Sequence, residues 1–385
     1  MAAVPWTRRL TSVGLLASAL GCSPPSLEPG MLTVAMAVSP NNLDPRFGTD
    51  SYSSRAQQLL FTDLLRLDDN QKLVPGLAES WDTADYKTYR VHLRRGVHFH
   101  DGHELTSKDV IYTFNSILDP KATSPLRGAY RELESVAAID PYTVQFVLKA
   151  PSGAFLINLV LRIVPDGAGR NLRDHPVGTG PYEFVSFAAD DRVVVKAFPE
   201  YFEGRPRNNG VTLKVVPDDI MRGLELRKRT SDLVVNDLTP DIAYQLQKEG
   251  LTLTPTPGLN YQYLGFNLRD SMLQDERVRH AIGYAIDRQS IVEYLRRGLA
   301  TPAVSMLAVS NWAFEPNVFD FSYDPEQAKR LLDAAGYPDP DGDGPRLRFT
   351  LSLKVSSAVE FNRLQSAVIQ QNLRGVGIGV DVRTY

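Results

Sequence analysis

Apolar and polar residues alternate with a period of two in several short stretches of the chain, a pattern typical of half-buried β-strands. This alternation predicts strands at residues 32–38, 89–93, 97–99, 142–148, 182–187, 192–198 and 211–216. Elsewhere the apolar positions recur with the period of a helix. That pattern predicts helices at residues 54–67, 106–118 and 278–291. Because strands and helices are interspersed, the chain is predicted to have an α/β fold.

Capping signals mark where three helices begin. Ser54 and Thr106 each stand three residues before a Gln or an Asp, which is the spacing of a capping box. Asp324 is the predicted cap of another helix, with Pro325 in its first turn and Gly336 just past its end. These signals fix the helix starts more closely than apolar spacing alone.

The last part of the chain has the pattern of a strand–helix–strand unit. The strands are predicted at residues 347–355 and 376–382, and the helix between them at 358–374. Such a unit joins parallel strands of one sheet through a right-handed crossover. We therefore expect these two strands to be parallel.

Composition and charge exclude several classes of protein. The chain has 385 residues, 43% of them hydrophobic and 23% charged, which is typical of a folded globular protein and not of a disordered one. Its 42 basic and 45 acidic residues give a net charge of −3, so no basic excess favours nucleic-acid binding. The length favours two or three lobes over a single core. After the first thirty residues no apolar run is long enough for a membrane span.

The N-terminal residues have the pattern of a bacterial secretion signal. Arg8 and Arg9 precede an apolar, small-residue stretch at 11–21, as in a signal peptide. Ala19 to Cys22 resembles the lipobox, in which the Cys becomes lipid-modified, although Ala19 stands where Leu is usual. Cys22 is the only Cys, so disulfides and zinc fingers are excluded. We expect a signal peptide at 1–21, lipidation at Cys22 and a tether at 22–30, the alternative being an incidental thiol.

The sequence contains no complete catalytic template. It has neither the Gly-x-Ser-x-Gly motif of hydrolases nor the Gly-x-x-x-x-Gly-Lys phosphate loop. The glycines at 375–379 follow a helix and lack the spacing of a dinucleotide-binding loop. We therefore expect a protein that is not an enzyme and that carries no cofactor.

Two clusters of candidate metal ligands have alternative interpretations. His98, His100, Asp101 and His103 could together hold Zn²⁺ or Ni²⁺, or the imidazoles could bond to nearby backbone groups at a hairpin end. The second alternative is favoured because no other ligand cluster completes the set. Residues 339–344 match the start of a calcium loop, but its twelfth position is a Thr, which favours a solvated turn. We expect no metal site.

Several longer motifs are similar to those of one known family. They are residues 73–118, Leu43 to Pro45, Gly178 to Tyr182, Tyr201 to Pro206, Asn267, residues 278–288 and residues 324–336. In this order they resemble solute-binding protein family 5, the oligopeptide, dipeptide and nickel receptors of bacterial ABC importers. The resemblance covers residues 31 to 385.

The resemblance implies a two-lobed, hinged periplasmic-binding-protein fold of type II with an extra α/β subdomain. It implies lobe I at residues 31–50 and 176–260, the extra subdomain at 51–175 and lobe II at 261–385. Family members continue beyond the position that matches Tyr385, so the resemblance also implies a C-terminally truncated chain with an incomplete lobe II.

The family's function implies ligand contacts at the cleft between the lobes. The candidate ligand-binding residues are Asn41, Tyr130, Tyr261, Tyr263, Asn267 and Trp312. The resemblance implies a monomeric, lipid-anchored receptor on the outer face of the cell envelope, which captures peptides or a similar small solute for an ABC permease and its ATPases. The alternatives are a metal-chelate receptor of the nickel type and a degenerate envelope lipoprotein without a transport role.

Overall fold

The computed structural model describes residues 30–169, 171–342, 344–356 and 360–385. Its strands are β1 (Met31–Met36), β2 (Leu65–Leu67), β3 (Leu73–Pro75), β4 (Ala78–Thr83), β5 (Thr88–Leu93), β6 (Leu133–Asp140), β7 (Thr143–Leu148), β8 (Tyr182–Ala188), β9 (Arg192–Ala197), β10 (Gly210–Val215), β11 (Leu233–Val234), β12 (Phe349–Val355) and β13 (Ile378–Thr384). Its α-helices are α1 (Ser51–Leu60), α2 (Ser107–Leu118), α3 (Asp219–Lys228), α4 (Pro240–Lys248), α5 (Ser271–Gln274), α6 (Glu276–Ala285), α7 (Arg288–Ser290), α8 (Pro325–Ala334) and α9 (Glu360–Arg374).

A five-stranded mixed sheet forms the centre of the unit that we call lobe I. Its strand order is β11-β1-β10-β9-β8, and β1 is parallel to both of its neighbours. The helix α1 packs on this sheet through Ala56 and Leu60, which lie in the same buried cluster as Val195 and Val211. The carboxyl ends of β1, β10 and β11 therefore lie at one edge of the sheet, near the start of α1.

A four-stranded antiparallel sheet, in the order β4-β5-β7-β6, forms the unit that we call the subdomain. Its inward residues, among them Tyr89 and Phe146, pack against Phe114 on α2. Val91 and Val144 are fully buried between them. In β5 and β7 buried and less buried residues alternate strictly, so every second residue of these two strands lies in one core.

The unit that we call lobe II contains β12 and β13, which pair in parallel along their whole length. The helix α9 connects the two strands, and α6 and α8 pack beside it around Ile282, Leu332 and Leu373. This confirms the predicted strand–helix–strand unit, although residues 358 and 359 of the predicted helix lie outside the described residues. Within the described ranges, each helix is too short or too polar to cross a bilayer.

The prediction of a helix at 54–67 was wrong at both ends. Asp50 caps α1 by accepting hydrogen bonds from the backbone N–H groups of Tyr52 and Ser53, so the helix begins three residues earlier than Ser54. The helix ends at Leu60, and Leu65–Leu67 is a strand paired with β3. A short apolar run fits either a helix or a strand, and here tertiary pairing with β3 decides between them.

The predicted helix at 278–291 is interrupted. The helix α6 ends at Ala285, and Ile286 is extended. Asp287 then caps a new turn by accepting a hydrogen bond from the Ser290 backbone N–H at 2.9 Å, and the chain continues as a π-turn at Ile291–Leu295. An Asp that bonds to the backbone ahead of it competes with continuation of the helix.

Other local predictions are confirmed. Thr106 and Asp109 form a capping box at the start of α2. Asp324 caps α8, and Gly336 has a φ of 93° just after the end of that helix. By contrast, the predicted strand at 97–99 is not formed, and only an isolated β-bridge between His98 and Glu104 occurs there.

Candidate functional site

The carboxyl edge of the lobe I sheet is the first candidate for a ligand-contacting surface. The strands β1, β10 and β11 end there at Met36, Val215 and Val234. Ligands of open α/β sheets bind outside the carboxyl ends of parallel strands, because the loops that follow the strands leave a crevice there. The chemistry of this edge therefore depends on the loops that follow these three strands.

Asp237 organises the edge. Its carboxylate accepts hydrogen bonds from the Ala37 backbone N–H at 3.2 Å, from the Tyr52 hydroxyl at 3.1 Å and from Arg55 Nη1 at 2.8 Å. The preceding residue, Asn236, has a φ of 58°, a left-handed conformation that turns the chain sharply after β11. The Asp237 side chain is only 7% exposed, whereas that of Arg55 is 28% exposed and reaches solvent.

The phenol of Tyr52 is affected by this arrangement. Burial and the negative charge of Asp237 raise the pKa of Tyr52 above its usual value. The guanidinium of Arg55 lies over the Tyr52 ring at 5.0 Å from its centroid. Tyr52 is thus a neutral hydrogen-bond donor at neutral pH, and together with Asp237 it fixes the position of Arg55.

Asn41 lies in the loop that follows β1, close to this cluster. Its backbone N–H donates to the Ser53 hydroxyl at 3.0 Å, and its side-chain Oδ1 accepts a hydrogen bond from the same hydroxyl at 3.2 Å. Asn41 is exposed. The structure therefore brings Asn41 to the carboxyl edge of lobe I, on the same helix start as Tyr52 and Arg55.

Sequence reasoning missed Arg55 and Asp237. They lie 182 positions apart in the chain, so no local spacing connects them. The strand before Asp237, β11, has two residues and shows no periodicity. The only signal in the sequence was the pair Asn236 and Asp237, residue types that favour turns.

On lobe II, the candidates Tyr261, Tyr263 and Asn267 belong to an extended segment between the lobes. The rings of Tyr261 and Tyr263 lie 5.4 Å apart, and Tyr263 is 76% exposed. Leu264 and Phe266 in the same segment point into the lobe II core. The Asn267 side chain accepts a hydrogen bond from the Arg269 backbone N–H at 3.2 Å, which shapes the turn before α5.

Two grooves flank this segment. One, of about 690 Å³, lies between the segment and β12 and is floored by Ile369 and Leu373 of α9. The other, of about 800 Å³, is lined by Tyr261 and Tyr263 together with Arg279 and other residues of lobe II. Of the candidate residues, Tyr263 is the one that lines both of these grooves.

Trp312 lies apart from these grooves' linings, in the segment between α7 and α8. Its side chain is 70% exposed, and its neighbours Val309 and Phe319 are also exposed. The structure does not place Trp312 with Tyr261 and Tyr263 in either groove. It is an accessible aromatic side chain of lobe II.

The structure places the candidate Tyr130 in the subdomain and not at the edge of lobe I or on lobe II. Its side chain is 5% exposed in the core of the subdomain, where its ring packs edge-on against Phe114 at 5.2 Å. Its hydroxyl donates to the Asn158 carbonyl at 2.8 Å. Tyr130 is therefore a packing residue in this structure, because both its ring and its hydroxyl are already engaged inside the core.

One member of the histidine cluster, His100, has a structural role. His100 Nε2 donates to the Gly180 carbonyl at 3.0 Å, and its Nδ1 accepts from the Gly178 backbone N–H at 3.3 Å. Burial lowers the pKa of His100 below its usual value, which keeps the ring neutral. His103 instead bonds to the carboxylates of Asp101 at 2.6 Å and Asp109 at 3.3 Å.

Metal-ligand geometry is not seen in the described ranges. No group of three or more His, Cys, Asp or Glu side chains there is arranged to hold an ion. In the calcium-loop match, Asp339 accepts hydrogen bonds from the backbone N–H groups of Asp341 and Gly342, as in a tight turn. Residue 343 of that match lies outside the described residues, as does Cys22.

The glycines of the Gly178–Tyr182 motif permit a close backbone approach. A Cβ on Gly178 would lie 2.1 Å from the Leu60 carbonyl oxygen, and one on Gly180 would lie 2.4 Å from the Leu60 carbonyl carbon. The Gly180 backbone N–H donates to that same carbonyl at 3.0 Å. The motif therefore attaches the start of β8 to the last turn of α1.

Comparison with known proteins identifies the family. The protein-family model with the description bacterial extracellular solute-binding proteins, family 5 Middle, matches residues 72–385. The chain belongs to this family. It is similar to the dipeptide-binding protein of Escherichia coli, with 30% identity over 345 residues that cover 81% of this chain and 64% of that protein. The chain therefore spans less than two thirds of that relative's length.

Solved structures of this family share the fold. The ABC transporter substrate-binding protein CtaP of Listeria monocytogenes superposes with a TM-score of 0.82 at 26% identity, over 92% of this chain and 74% of CtaP. NikZ of Campylobacter jejuni, solved with Ni(L-His), superposes with a TM-score of 0.77 at 26% identity, over 93% of this chain and 74% of NikZ. The family 5 member described here thus has the predicted two-lobed periplasmic-binding-protein fold.

Proposed function

We propose that this family 5 protein is the solute-binding receptor of an ABC importer. It captures a peptide or a similar small solute between its lobes and delivers it to the permease, without chemically changing it. The family match over residues 72–385 carries this proposal, because it spans most of the subdomain, the second part of lobe I and lobe II. The dipeptide-binding relative supports the choice of a peptide.

The division into lobes is part of the proposal. The family resemblance assigns residues 31–50 and 176–260 to lobe I, 51–175 to the extra subdomain and 261–385 to lobe II. We change this division at one helix: α1 (Ser51–Leu60) packs on the lobe I sheet, so we assign it to lobe I. The ligand would then lie between the edge around Asn41 and the segment around Tyr263.

Capture in such a receptor is a shift between open and closed populations. A ligand that touches both lobes makes contacts only in the closed state, so it stabilises that state. A cross-lobe ion pair joins Arg297 to Asp241 at 2.6 Å, and both side chains are exposed. Exposed ion pairs contribute little stability, so this contact leaves the equilibrium between the two states easy to shift.

A thermal-shift screen of the full chain against di- to pentapeptides tests the function. A peptide at a hundred times its Kd should stabilise the protein by about 2.7 kcal/mol. Since binding to the folded state raises the unfolding temperature, a positive shift with peptides supports the proposal. A well-folded protein that responds to no peptide contradicts the peptide assignment.

Variants then test the lobe II candidates. Tyr263→Ala and Trp312→Ala remove exposed aromatic side chains, so both should leave the unfolding temperature nearly unchanged. We expect Tyr263→Ala to weaken peptide binding several-fold. Tyr86→Ala, which removes an aromatic side chain of similar exposure from the subdomain, is the matched control. Equal peptide affinity in all three variants would remove the two candidates.

The second candidate ligand is a metal–amino acid chelate. It is supported by the similarity to NikZ, whose structure contains Ni(L-His). In the same thermal-shift screen, a response to Ni²⁺ with histidine and none to peptides would favour this ligand. A chelator control separates binding of the complex from binding of the free ion.

We also propose that Cys22 carries a lipid anchor on the outer face of the cell envelope. The lipobox-like residues before it and the absence of any other Cys in the sequence support this. The Cys22→Ser variant should move from the membrane fraction to the soluble fraction of cells. Retention of the variant in membranes would contradict a lipid anchor at this position.

A further inference from the structure

The groove of about 690 Å³ in lobe II lies between two lengths of main chain. One wall is the segment 262–267, and the other is the run 351–356, which contains most of β12. Every residue of both runs lines the groove, so the groove follows each wall along its length. Since a strand rises about 3.3 Å per residue, walls of this length match a strand of about six residues.

The main chain of each wall has unused pairing capacity. The sheet that contains β12 has two strands, so among the described residues β12 is paired on one edge, by β13, and its other edge is open. On the opposite wall, the backbone groups of residues 262–266 form no hydrogen bond with the main chain of any described residue. Leu264 and Phe266, two positions apart, both pack on the lobe II core, which is the period of an extended chain.

The floor between these walls is apolar and incompletely covered. Ile369 and Leu373 of α9 form it, and Leu351 and Leu353 of β12 are only partly buried against the same core. Gln365 also lines the groove, and its buried Oε1 has no hydrogen-bond partner among the residues that the structure describes. Because buried acceptors normally have a donor, an occupant has to bring N–H groups as well as apolar side chains.

The charges of the lining favour an uncharged occupant. Two charged side chains of opposite sign, Asp270 and Lys354, belong to it. Asp270 caps α5 by accepting a hydrogen bond from the Met272 backbone N–H at 3.0 Å, and Lys354 is exposed. Since the two charges balance, main-chain pairing and apolar burial are the interactions that the groove offers.

We propose that this groove, which we call the strand groove, binds a strand of a second polypeptide between the segment 262–267 and β12. The partner is a segment of about six residues in which apolar and uncharged polar side chains alternate. Its main chain pairs with the open edge of β12, and its apolar side chains pack on Ile369 and Leu373. Extended polypeptide fits better than a compact small molecule, because only a strand pairs with an open edge along its whole length. This interaction is separate from the proposed capture of a solute between the lobes and does not depend on it.

A blocked peptide with this pattern tests the strand groove. The probe is acetyl-Lys-Thr-Val-Thr-Val-Thr-Val-Lys-amide, with the lysines outside the pairing core for solubility. The control peptide has the same sequence with N-methyl groups on its valines, which remove the N–H donors of one edge. In a fluorescence titration of the full chain, we expect the probe to bind at least tenfold more tightly than the control peptide. Hydrogen exchange at β12 and at residues 262–266 should become at least tenfold slower with the probe bound.

A proline variant tests the wall opposite β12. Gly265→Pro removes one N–H group from that wall and adds a ring to the lining, so we expect it to weaken probe binding at least tenfold. Gly258→Pro is the matched control, because Gly258 is exposed in the same connecting segment but lies outside the lining. It should bind the probe as the wild type does. The N-methylated peptide tests the same pairing in the wild-type chain, without any change to the fold.

Three results would overturn the strand groove. The first is equal binding of the probe and its N-methylated control, or unchanged exchange at β12. The second is slower exchange confined to the edge of lobe I, which would mean that the probe binds as a solute and would support the receptor function. The third is slow exchange at β12 in a dimer of the chain without probe, which would assign the groove to a second copy.

Discussion

Replacing His100 by a side chain that does not titrate should make the free energy of unfolding decrease less as the pH falls. The neutral ring of His100 donates to the Gly180 carbonyl and accepts from the Gly178 N–H, so a second proton on the ring would displace the latter bond. Gln at this position has both a donor and an acceptor at similar reach, but it does not titrate. The variant His100→Gln therefore separates the two hydrogen bonds from the protonation.

The sign of the effect follows from the lowered pKa of His100. Below about pH 6.5 the unfolded chain binds a proton at this residue that the folded chain does not, so the free energy of unfolding decreases with falling pH. Above the pKa that His100 has in the unfolded chain, the folded state keeps its full stability. It loses stability as the pH falls from that pKa towards the lower pKa that His100 has in the folded chain. One such group changes the free energy of unfolding by at most about 1.4 kcal/mol per pH unit.

Urea unfolding of the full chain at pH 7.5, 6.5 and 5.5 measures this contribution. Between the two lower pH values, the wild type should lose more stability than His100→Gln does, by at most about 1 kcal/mol. His98→Gln, two residues away at the same hairpin, controls for a general effect of replacing a histidine. The reasoning is refuted if wild type and His100→Gln show the same pH dependence, because the ring would then titrate alike in both states.

Three further predictions test packing features by urea unfolding. Gly180→Ala should destabilise the protein by about 3 kcal/mol or prevent folding, because its Cβ would overlap the main chain of the last turn of α1. The control Gly128→Ala, at an open site, should change the free energy of unfolding little. Tyr130→Phe should lower the free energy of unfolding by about 1 kcal/mol, because the hydroxyl contact is lost, and it should leave ligand affinity unchanged. Weaker ligand binding with unaltered stability would instead indicate that Tyr130 contacts the ligand. Arg46→Met should cost about 3 kcal/mol or more, because it leaves the buried carboxylate of Asp44 without its ion-pair partner, and the double variant with Asp44→Asn should recover part of the loss.

Local signals in the sequence predicted those elements whose geometry is itself local. The capping box at Thr106 and the cap at Asp324 lie within one helical turn of the groups that they bond, so spacing alone reveals them. The helix limits around Leu60 were not predictable in this way. Leu65 is extended because it pairs with β3, a tertiary contact that apolar spacing cannot show.

The candidate site was predictable only where the family resemblance pointed to it. Asn41 and Tyr263 lie on exposed segments of lobes I and II, and whether they contact ligand stays a prediction. Arg55 and Asp237 were not predictable because strand order, and not chain order, brings them together. The buried position of Tyr130 was not predictable for a similar reason, since an aromatic residue near a turn can face either a core or a cleft.

The seam at Gly178 to Gly180 has a mechanical consequence. There, His100 from the subdomain, the end of α1 from lobe I and the chain entering β8 share hydrogen bonds with one another. A hinge forms where the motion of two domains breaks few hydrogen bonds. At this seam, motion of the subdomain against lobe I would break several hydrogen bonds, so the seam is not a hinge. Spectroscopic labels placed on the subdomain and on the lobe I sheet should therefore keep a constant separation during ligand capture, while labels on lobe II approach both.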